Sequence, residues 1–310
     1  MLCGVRVPAT LVVALTVAVT AFPEAAGAPP PRPWVVAHRG ASAYAPENTV
    51  PAFKLGAEQG ATFVELDIQL TKDGEIVCLH DPTLERTTNV EEVFPERGRE
   101  VIVKGETRRQ WPLAEFTLAE VRRLDAGTWF DRKFAGTRIP TFSEAIRAVR
   151  GRTGIYVELK LPERYPGIEA KMLADLKAAG LDRPWADPKT PIVLQSVTVP
   201  SLELLHGQLK TTLPIHLLFG PADAAKWTSD EGLARAKVFS TGLSPDKQVV
   251  RQDPTLVRRA QALGLLVTPY TYRASATGTF ADVRAEIADA LGSGVDGAGF
   301  NAIFGYQYTH

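Results

Sequence analysis

From Trp34 onward the chain alternates short apolar runs with longer segments of helical periodicity, and this alternation restricts the fold more than any other feature of the sequence. Runs at 34–37, 62–68, 76–79, 154–159, 192–195, 215–218, 236–240, 264–268 and 295–298 read as strands. Helical patterns lie near 48–57, 115–124, 141–149, 167–179, 200–208, 253–263 and 280–291. Steady alternation implies parallel strands joined by right-handed crossovers. Eight or nine strand candidates in roughly 270 residues fit an α/β fold of the closed (β/α)8 TIM-barrel type better than an open doubly wound sheet. Neither a GxGxxG nor a GxxxxGK[ST] loop supports the open sheet. Residues 82–112 lack clean periodicity and read as an excursion from the core rather than a second domain.

The barrel is expected to start after a leader. Arg6 precedes a nearly unbroken apolar run from Ala9 to Phe22, and the small residues Ala25, Ala26, Gly27 and Ala28 follow. Residues 1–28 therefore read as a secretory signal peptide, with residues 29–310 as one domain. The run is short for a membrane anchor and ends in Pro23 and Glu24, so no stable membrane insertion is expected. Cleavage removes Cys3 and leaves Cys78 as the sole cysteine, so the exported chain must be held by its core or by a metal rather than by an intrachain disulfide. The chain carries 35 basic and 35 acidic residues, and removing Arg6 and Glu24 with the leader keeps the balance. There is no global field to draw it onto nucleic acid or an anionic membrane.

Several chemically capable residues fall at strand ends, which open onto the active-site face of a barrel. His38 follows the first strand and His80 the third, and a histidine pair can take one proton and deliver another near neutrality. Glu65 and Asp67 stand at i and i+2, on one face of the second strand. Two such carboxylates repel unless a positive group lies between them, and a hard cation with Glu158 as a third ligand would remove the cost. Lys160 shares the face of Glu158, and Arg39 adjoins His38. Plainer readings stand beside these: histidines satisfied at strand termini, a structural Glu158–Lys160 ion pair, and solvent-exposed Glu65 and Asp67. Taken jointly, the residues suit a phosphoryl site in which cations neutralise phosphate oxygens and histidines handle protons. With one mature cysteine and no HExxH, zinc fits less well.

Four segments in order carry a resemblance: Val36-Ala37-His38-Arg39-Gly40-Ala41-Ser42, Pro46-Glu47-Asn48-Thr49, Glu65-Leu66-Asp67 with Thr71-Lys72-Asp73-Gly74, and Leu79-His80-Asp81 with Leu84, Arg86, Thr87 and Thr88. Together they closely resemble the glycerophosphodiester phosphodiesterase family. Ile139-Pro140-Thr141-Phe142, Tyr156-Val157-Glu158-Leu159-Lys160 and Val193-Leu194-Gln195-Ser196 continue it, and Pro269-Tyr270-Thr271-Tyr272-Arg273 is similar to the exported bacterial branch.

The resemblance implies a TIM barrel with a small inserted cap at about 82–137. The implied reaction cleaves glycerophosphodiesters such as glycerophosphocholine or glycerophosphoethanolamine to sn-glycerol 3-phosphate and an alcohol. By motif, His38 and His80 match the acid/base pair, Glu65, Asp67 and Glu158 the ligands of one divalent cation, and Arg39 and Lys160 the phosphate contacts. Glu47, Gln195 and Tyr270 take supporting places. An extracytoplasmic setting favours Ca2+ over Mg2+. The implied mechanism uses the substrate's own glycerol hydroxyl as nucleophile, with either histidine as the first base. Asp296-Gly297-Ala298-Gly299-Phe300-Asn301 departs from the Thr-Asp-x-Pro-like sequence common after the last strand, which bears on substrate range. A phospholipase D-like enzyme acting on lipids, which would need an apolar rim at the mouth, and an inactive secreted binding protein are the competing readings.

Overall fold

The computed structural model describes residues 29–273, 278 and 281–300, so the leader expected at 1–28 lies outside the described residues. Eleven strands are found among the described residues: β1 (Trp34–Ala37), β2 (Phe63–Leu70), β3 (Ile76–Cys78), β4 (Arg99–Val103), β5 (Glu106–Gln110), β6 (Gly154–Leu159), β7 (Ile192–Ser196), β8 (Ile215–Phe219), β9 (Gly242–Pro245), β10 (Leu266–Val267) and β11 (Gly297–Phe300). Eight of them run parallel in the order β10-β9-β8-β7-β6-β2-β1-β11. The ends meet through Asp296 N–H to Val267 O at 2.8 Å, Gly299 N–H to Pro269 O at 3.0 Å and Tyr272 N–H to Gly299 O at 3.0 Å. The strands thus close into a (β/α)8 barrel.

Alternation along each strand sorts side chains between two cores. Outward residues such as Leu66, Ile68, Val157, Leu194 and Leu217 join the larger apolar core, which includes Phe142, Ile146, Ile168 and Met172 from the helices Phe142–Val149 and Ile168–Ala178. Inward residues Trp34, Val36, Phe63, Tyr156 and Val193 form a separate cluster that plugs the barrel. Higher on the same inward faces stand Glu65 and Asp67 on β2 and Glu158 on β6, and the register pairs Asp67 with Glu158. The site is therefore built on rigid strands, above an apolar plug.

Two features of the fold differ from the pattern read in the sequence. β3 is not a parallel barrel strand: it pairs antiparallel with β2, with Ile68 opposite Cys78 and Leu70 opposite Ile76. The connection through Thr71-Lys72-Asp73-Gly74 is too short for a parallel crossover and allows only a hairpin return. His80 thus reaches the mouth by folding back over β2. The apolar run at 236–240 is not a strand but the end of the helix Asp230–Lys237 and the turn after it, where Ala236 and Phe239 are buried for helix packing. The strand in that position is β9, whose Gly242 and Ser244 face inward beside His216 and Tyr156.

Between β3 and the helix Phe142–Val149 the chain forms the β4–β5 hairpin and short helical turns over a small core of Leu84, Val90, Phe94, Trp111, Phe116 and Leu124. Among the described residues, no helix is long and apolar enough to cross a membrane. Phe219 and Trp227, two large apolar side chains that could have supplied an apolar rim, are both buried.

Candidate active site

The loop after β1 brings the first cation to the carboxylates. Arg39 and Asn48 both take left-handed backbone conformations (φ 56° each), a region Asn tolerates better than most residues. Between them Gly40 (φ +77°) packs so closely on the Ala52 backbone that a Cβ would stand 2.6 Å from its carbonyl carbon. This turn lets the Arg39 backbone N–H donate to Glu65 Oε2 at 2.7 Å. The buried Asn48 side chain donates to Asp67 Oδ2 at 2.7 Å and accepts the Asp67 backbone N–H at 3.1 Å.

Glu65, Asp67 and Glu158 are all buried, and each offers an oxygen within 4.8 Å of the others. Glu65 Oε1 and Asp67 Oδ1 have no hydrogen-bond partner. Lys160 Nζ donates to Glu158 Oε1 at 2.6 Å and lies 3.8 Å from Asp67 Oδ1. The Arg39 side chain donates to Glu47 Oε1 at 2.9 Å and has its Nε 3.5 Å from Asp67 Oδ2. Orphaned carboxylate oxygens in a buried cluster are costly in isolation and are the donors a hard divalent cation takes. The residues present fit such an ion.

The electrostatics agree with this. Burial, followed by the Asp67 and Glu158 charges, pushes the Glu65 carboxyl well above the ordinary range, with Arg39 opposing. Burial also raises Glu158, against the pull of Lys160. For Asp67 the burial penalty is outweighed by Lys160, Arg39 and His80 and by the Asn48 hydrogen bond, which together bring it down to about 2. Lys160 is raised because Glu158 and Asp67 overcome its own desolvation. Within this group, three carboxylates against Arg39 and Lys160 leave one net negative charge. A divalent cation would make it one net positive charge, complementary to a phosphodiester monoanion.

A cavity of ≈ 230 Å³ opens over these groups, with His38, Arg39, Glu65, His80, Glu158 and Lys160 in its lining. The His80 ring meets Asp81 through an Nδ1···Oδ1 contact of 2.6 Å, and Asp81 in turn holds Arg86. Arg86 also reaches Glu47, at 2.7 Å and 3.0 Å to its two oxygens. With Nδ1–H donated to Asp81, the other ring nitrogen of His80 is left to exchange a proton.

A family model described as the glycerophosphoryl diester phosphodiesterase family matches residues 38–303. The chain belongs to this family. A glycerophosphodiester phosphodiesterase of Bacillus subtilis (strain 168) is 34% identical over 250 residues, 78% of this chain and 77% of its own length. The crystal structure of a glycerophosphodiester phosphodiesterase from Agrobacterium tumefaciens str. C58 superposes with a TM-score of 0.66 at 25% identity, covering 87% of this chain and 96% of that one. An Oleispira antarctica phosphodiesterase, solved in complex with the product sn-glycerol-3-phosphate, shares the fold with a TM-score of 0.68 at 24% identity, over 87% and 93% of the two chains. As a member of this family the chain is an enzyme of phosphodiester hydrolysis, with an acidic triad able to coordinate a divalent cation.

Of the residues singled out in the sequence, His38, Arg39, Glu65, His80, Glu158, Lys160, Gln195 and Tyr270 line this pocket, while Asp67 and Glu47 meet it through Arg39. Burial pushes the Tyr270 phenol up to about 12. Glu47 stands outside the carboxylate triad, bridging Arg39 and Arg86. Asn48, Asp81 and Arg86 stand in the family-like motifs with no role legible in the sequence, although Asn48 directly follows Glu47 and Asp81 directly follows His80. Tyr156, His216, Ser244 and Thr268 have no role legible there either, and no pattern in the chain distinguishes these from ordinary inward barrel residues.

Proposed function

We propose that this phosphodiesterase hydrolyses glycerophosphodiesters, glycerophosphocholine and glycerophosphoethanolamine among them, to sn-glycerol 3-phosphate and the free alcohol. The single observation that carries this reading is the partnerless pair Glu65 Oε1 and Asp67 Oδ1, set beside Glu158 and between Arg39 and Lys160 in a pocket that also holds His38 and His80. Glu65, Asp67 and Glu158 would hold one divalent cation, Ca2+ in preference to Mg2+ given an all-carboxylate donor set and an extracytoplasmic setting. When bound, the cation supplies charge neutralisation at phosphate oxygens.

The chain's own residues divide the remaining work. Arg39 and Lys160 orient the phosphodiester and stabilise charge on its oxygens. One of His38 and His80 takes the proton from the glycerol hydroxyl as it attacks phosphorus, and the other protonates the departing alcohol oxygen. Water then opens the cyclic phosphate with the histidine roles exchanged. Asp81 fixes the His80 ring, while Glu47 ties Arg39 to Arg86. Among the described residues, Val197 is the one exposed large apolar side chain that lines the pocket, which favours a small soluble diester over a lipid surface.

Removal of a leader at 1–28 and export of residues 29–310 belong to the same proposal, as does head-group selection by the segment at 82–137. N-terminal sequencing of protein recovered outside the cytoplasm tests the first, and deletion of the β4–β5 hairpin with comparison of the choline and ethanolamine diesters tests the second. Hydrolysis of glycerophosphocholine with Ca2+, with Mg2+ and with chelator tests the reaction itself. Full turnover after thorough metal removal would contradict it.

A further inference from the structure

Below the carboxylates the pocket has a floor that neither the cation nor the histidines require. Tyr156, Ser244 and Thr268 line it from β6, from β9 and from just beyond β10, and all three are at least nine-tenths buried. Tyr156 stands two residues before Glu158 on the same inward face, one layer deeper in the barrel. Its hydroxyl lies 2.5 Å from His216 Nδ1 and 3.2 Å from Ser244 Oγ. His216 is fully buried behind it, and Gly242 is what admits the ring: a Cβ there would lie 2.4 Å from His216 Nε2.

This layer is expensive to maintain in a barrel interior. An apolar pair at 156 and 216 would fill the same space without burying polar atoms. Burial holds His216 neutral and keeps the Tyr156 proton on its oxygen, and with either His216 tautomer the phenol oxygen tied to Nδ1 retains a lone pair for an incoming donor. The Thr268 hydroxyl is buried and lines the pocket beside the Tyr156 phenol, and a hydroxyl that shares one contact still has hydrogen-bonding capacity for a ligand.

We propose that Tyr156, Ser244 and Thr268 form a hydroxyl-recognising subsite for the terminal hydroxymethyl of the glycerol moiety, with His216 as a positioning residue that fixes the Tyr156 hydroxyl. The inference rests on the reading of the site as one that cleaves glycerophosphodiesters. It adds the direction of binding: the phosphate sits at the carboxylate layer, the glycerol end points down the barrel and the alcohol head group points to solvent. A buried subsite built to hydrogen-bond a hydroxyl rejects the analogue that lacks it, because the site's polar groups are then left unpaired.

The test compares glycerophosphocholine with 1,2-propanediol phosphocholine, which keeps the hydroxyl that attacks phosphorus and replaces only the terminal hydroxyl by hydrogen. The wild-type enzyme with Ca2+ is expected to favour glycerophosphocholine at least tenfold in kcat/KM. Thr268→Val and Tyr156→Phe should each shrink that preference at least fivefold. Thr268→Val is isosteric and removes only a pocket-lining hydroxyl, so it keeps the test valid if Tyr156→Phe folds poorly. Wild-type turnover of the two diesters within twofold of each other, or an unchanged preference in Thr268→Val, would overturn the subsite and leave a floor that holds only water. Failure of the wild-type enzyme to cleave either diester would instead overturn the reading on which the subsite rests, and the subsite with it.

Discussion

Asn48 grips Asp67 at two points, donating from its amide to Oδ2 at 2.7 Å and accepting the Asp67 backbone N–H at 3.1 Å. This leaves Oδ1 without a hydrogen-bond partner in a cluster where Asp67, Glu65 and Glu158 each offer an oxygen within 4.8 Å of the others. Groups that orient a metal ligand typically contribute 10–100-fold to affinity. Asn48→Gly, which also suits the positive φ at this position, is expected to weaken Ca2+ activation of hydrolysis by about 10–100-fold. Its maximal rate at saturating Ca2+ should fall much less. A metal titration of activity checks this, and an unchanged midpoint would show that Asp67 needs no such support.

Asp81 holds the His80 ring through Nδ1 and Arg86 through its other oxygen, so Asp81→Asn removes the charge and, with the amide oxygen kept on Arg86, turns a donor N–H toward Nδ1, which selects the wrong tautomer. The expected outcome is a loss of about 10²-fold or more in kcat with the Ca2+ midpoint unchanged. Steady-state kinetics with glycerophosphocholine separates the two. A variant with near wild-type kcat would remove His80 from proton transfer or Asp81 from its support.

Much of this was legible in the sequence, and the exceptions have physical reasons. The barrel followed from the alternation of strand and helix patterns because each parallel strand must be a short apolar run and each crossover an amphipathic helix. β9 escaped notice because Gly-Leu-Ser-Pro has almost no strand signature: its inward positions must be small where the His216 ring and the Tyr156 hydroxyl already stand. The preceding Ala236–Ser240 run looked more strand-like, although its apolar residues serve helix packing. The direction of β3 is decided by the length of one turn, Thr71-Lys72-Asp73-Gly74, which the sequence itself displays. At the site, the carboxylates and cations could be read from strand-end positions. Asn48 and Asp81 could not, since their roles depend on which neighbour the folded loop brings within 3 Å.

His216 predicts a specific acid limb in stability. Burial lowers its pKa from 6.5 to about 3, so it stays neutral in the folded protein while the unfolded chain takes up a proton below about pH 6.5. Between about 6.5 and 3 the unfolded state binds more protons, and stability falls as pH falls, by up to about 1.4 kcal/mol per pH unit from this group. Above about 6.5 the contribution is flat. Denaturant unfolding of His216→Gln at pH 7, 6 and 5 should show a shallower acid loss than wild type. Parallel losses in the two proteins would mean that His216 is not buried neutral.

Cation binding should also be visible in stability, since the triad holds partnerless oxygens in the folded state only. With Ca2+ at 100 times its dissociation constant the gain is about 2.7 kcal/mol, read as a rise in Tm over the chelated protein. Glu65→Gln removes one charged donor and is expected to lose most of that rise. A Tm indifferent to Ca2+ in the wild-type protein would place the ion, if any, elsewhere.

The most direct measurement is product analysis of glycerophosphocholine incubated with purified enzyme, in Ca2+, in chelator, and after Ca2+ is restored. The site predicts equal release of sn-glycerol 3-phosphate and choline in Ca2+, loss of turnover in chelator with recovery on restoring Ca2+, and at least a 10²-fold loss in His38→Ala and His80→Ala. Undiminished turnover in chelator, or release of glycerol and phosphocholine instead, would contradict it.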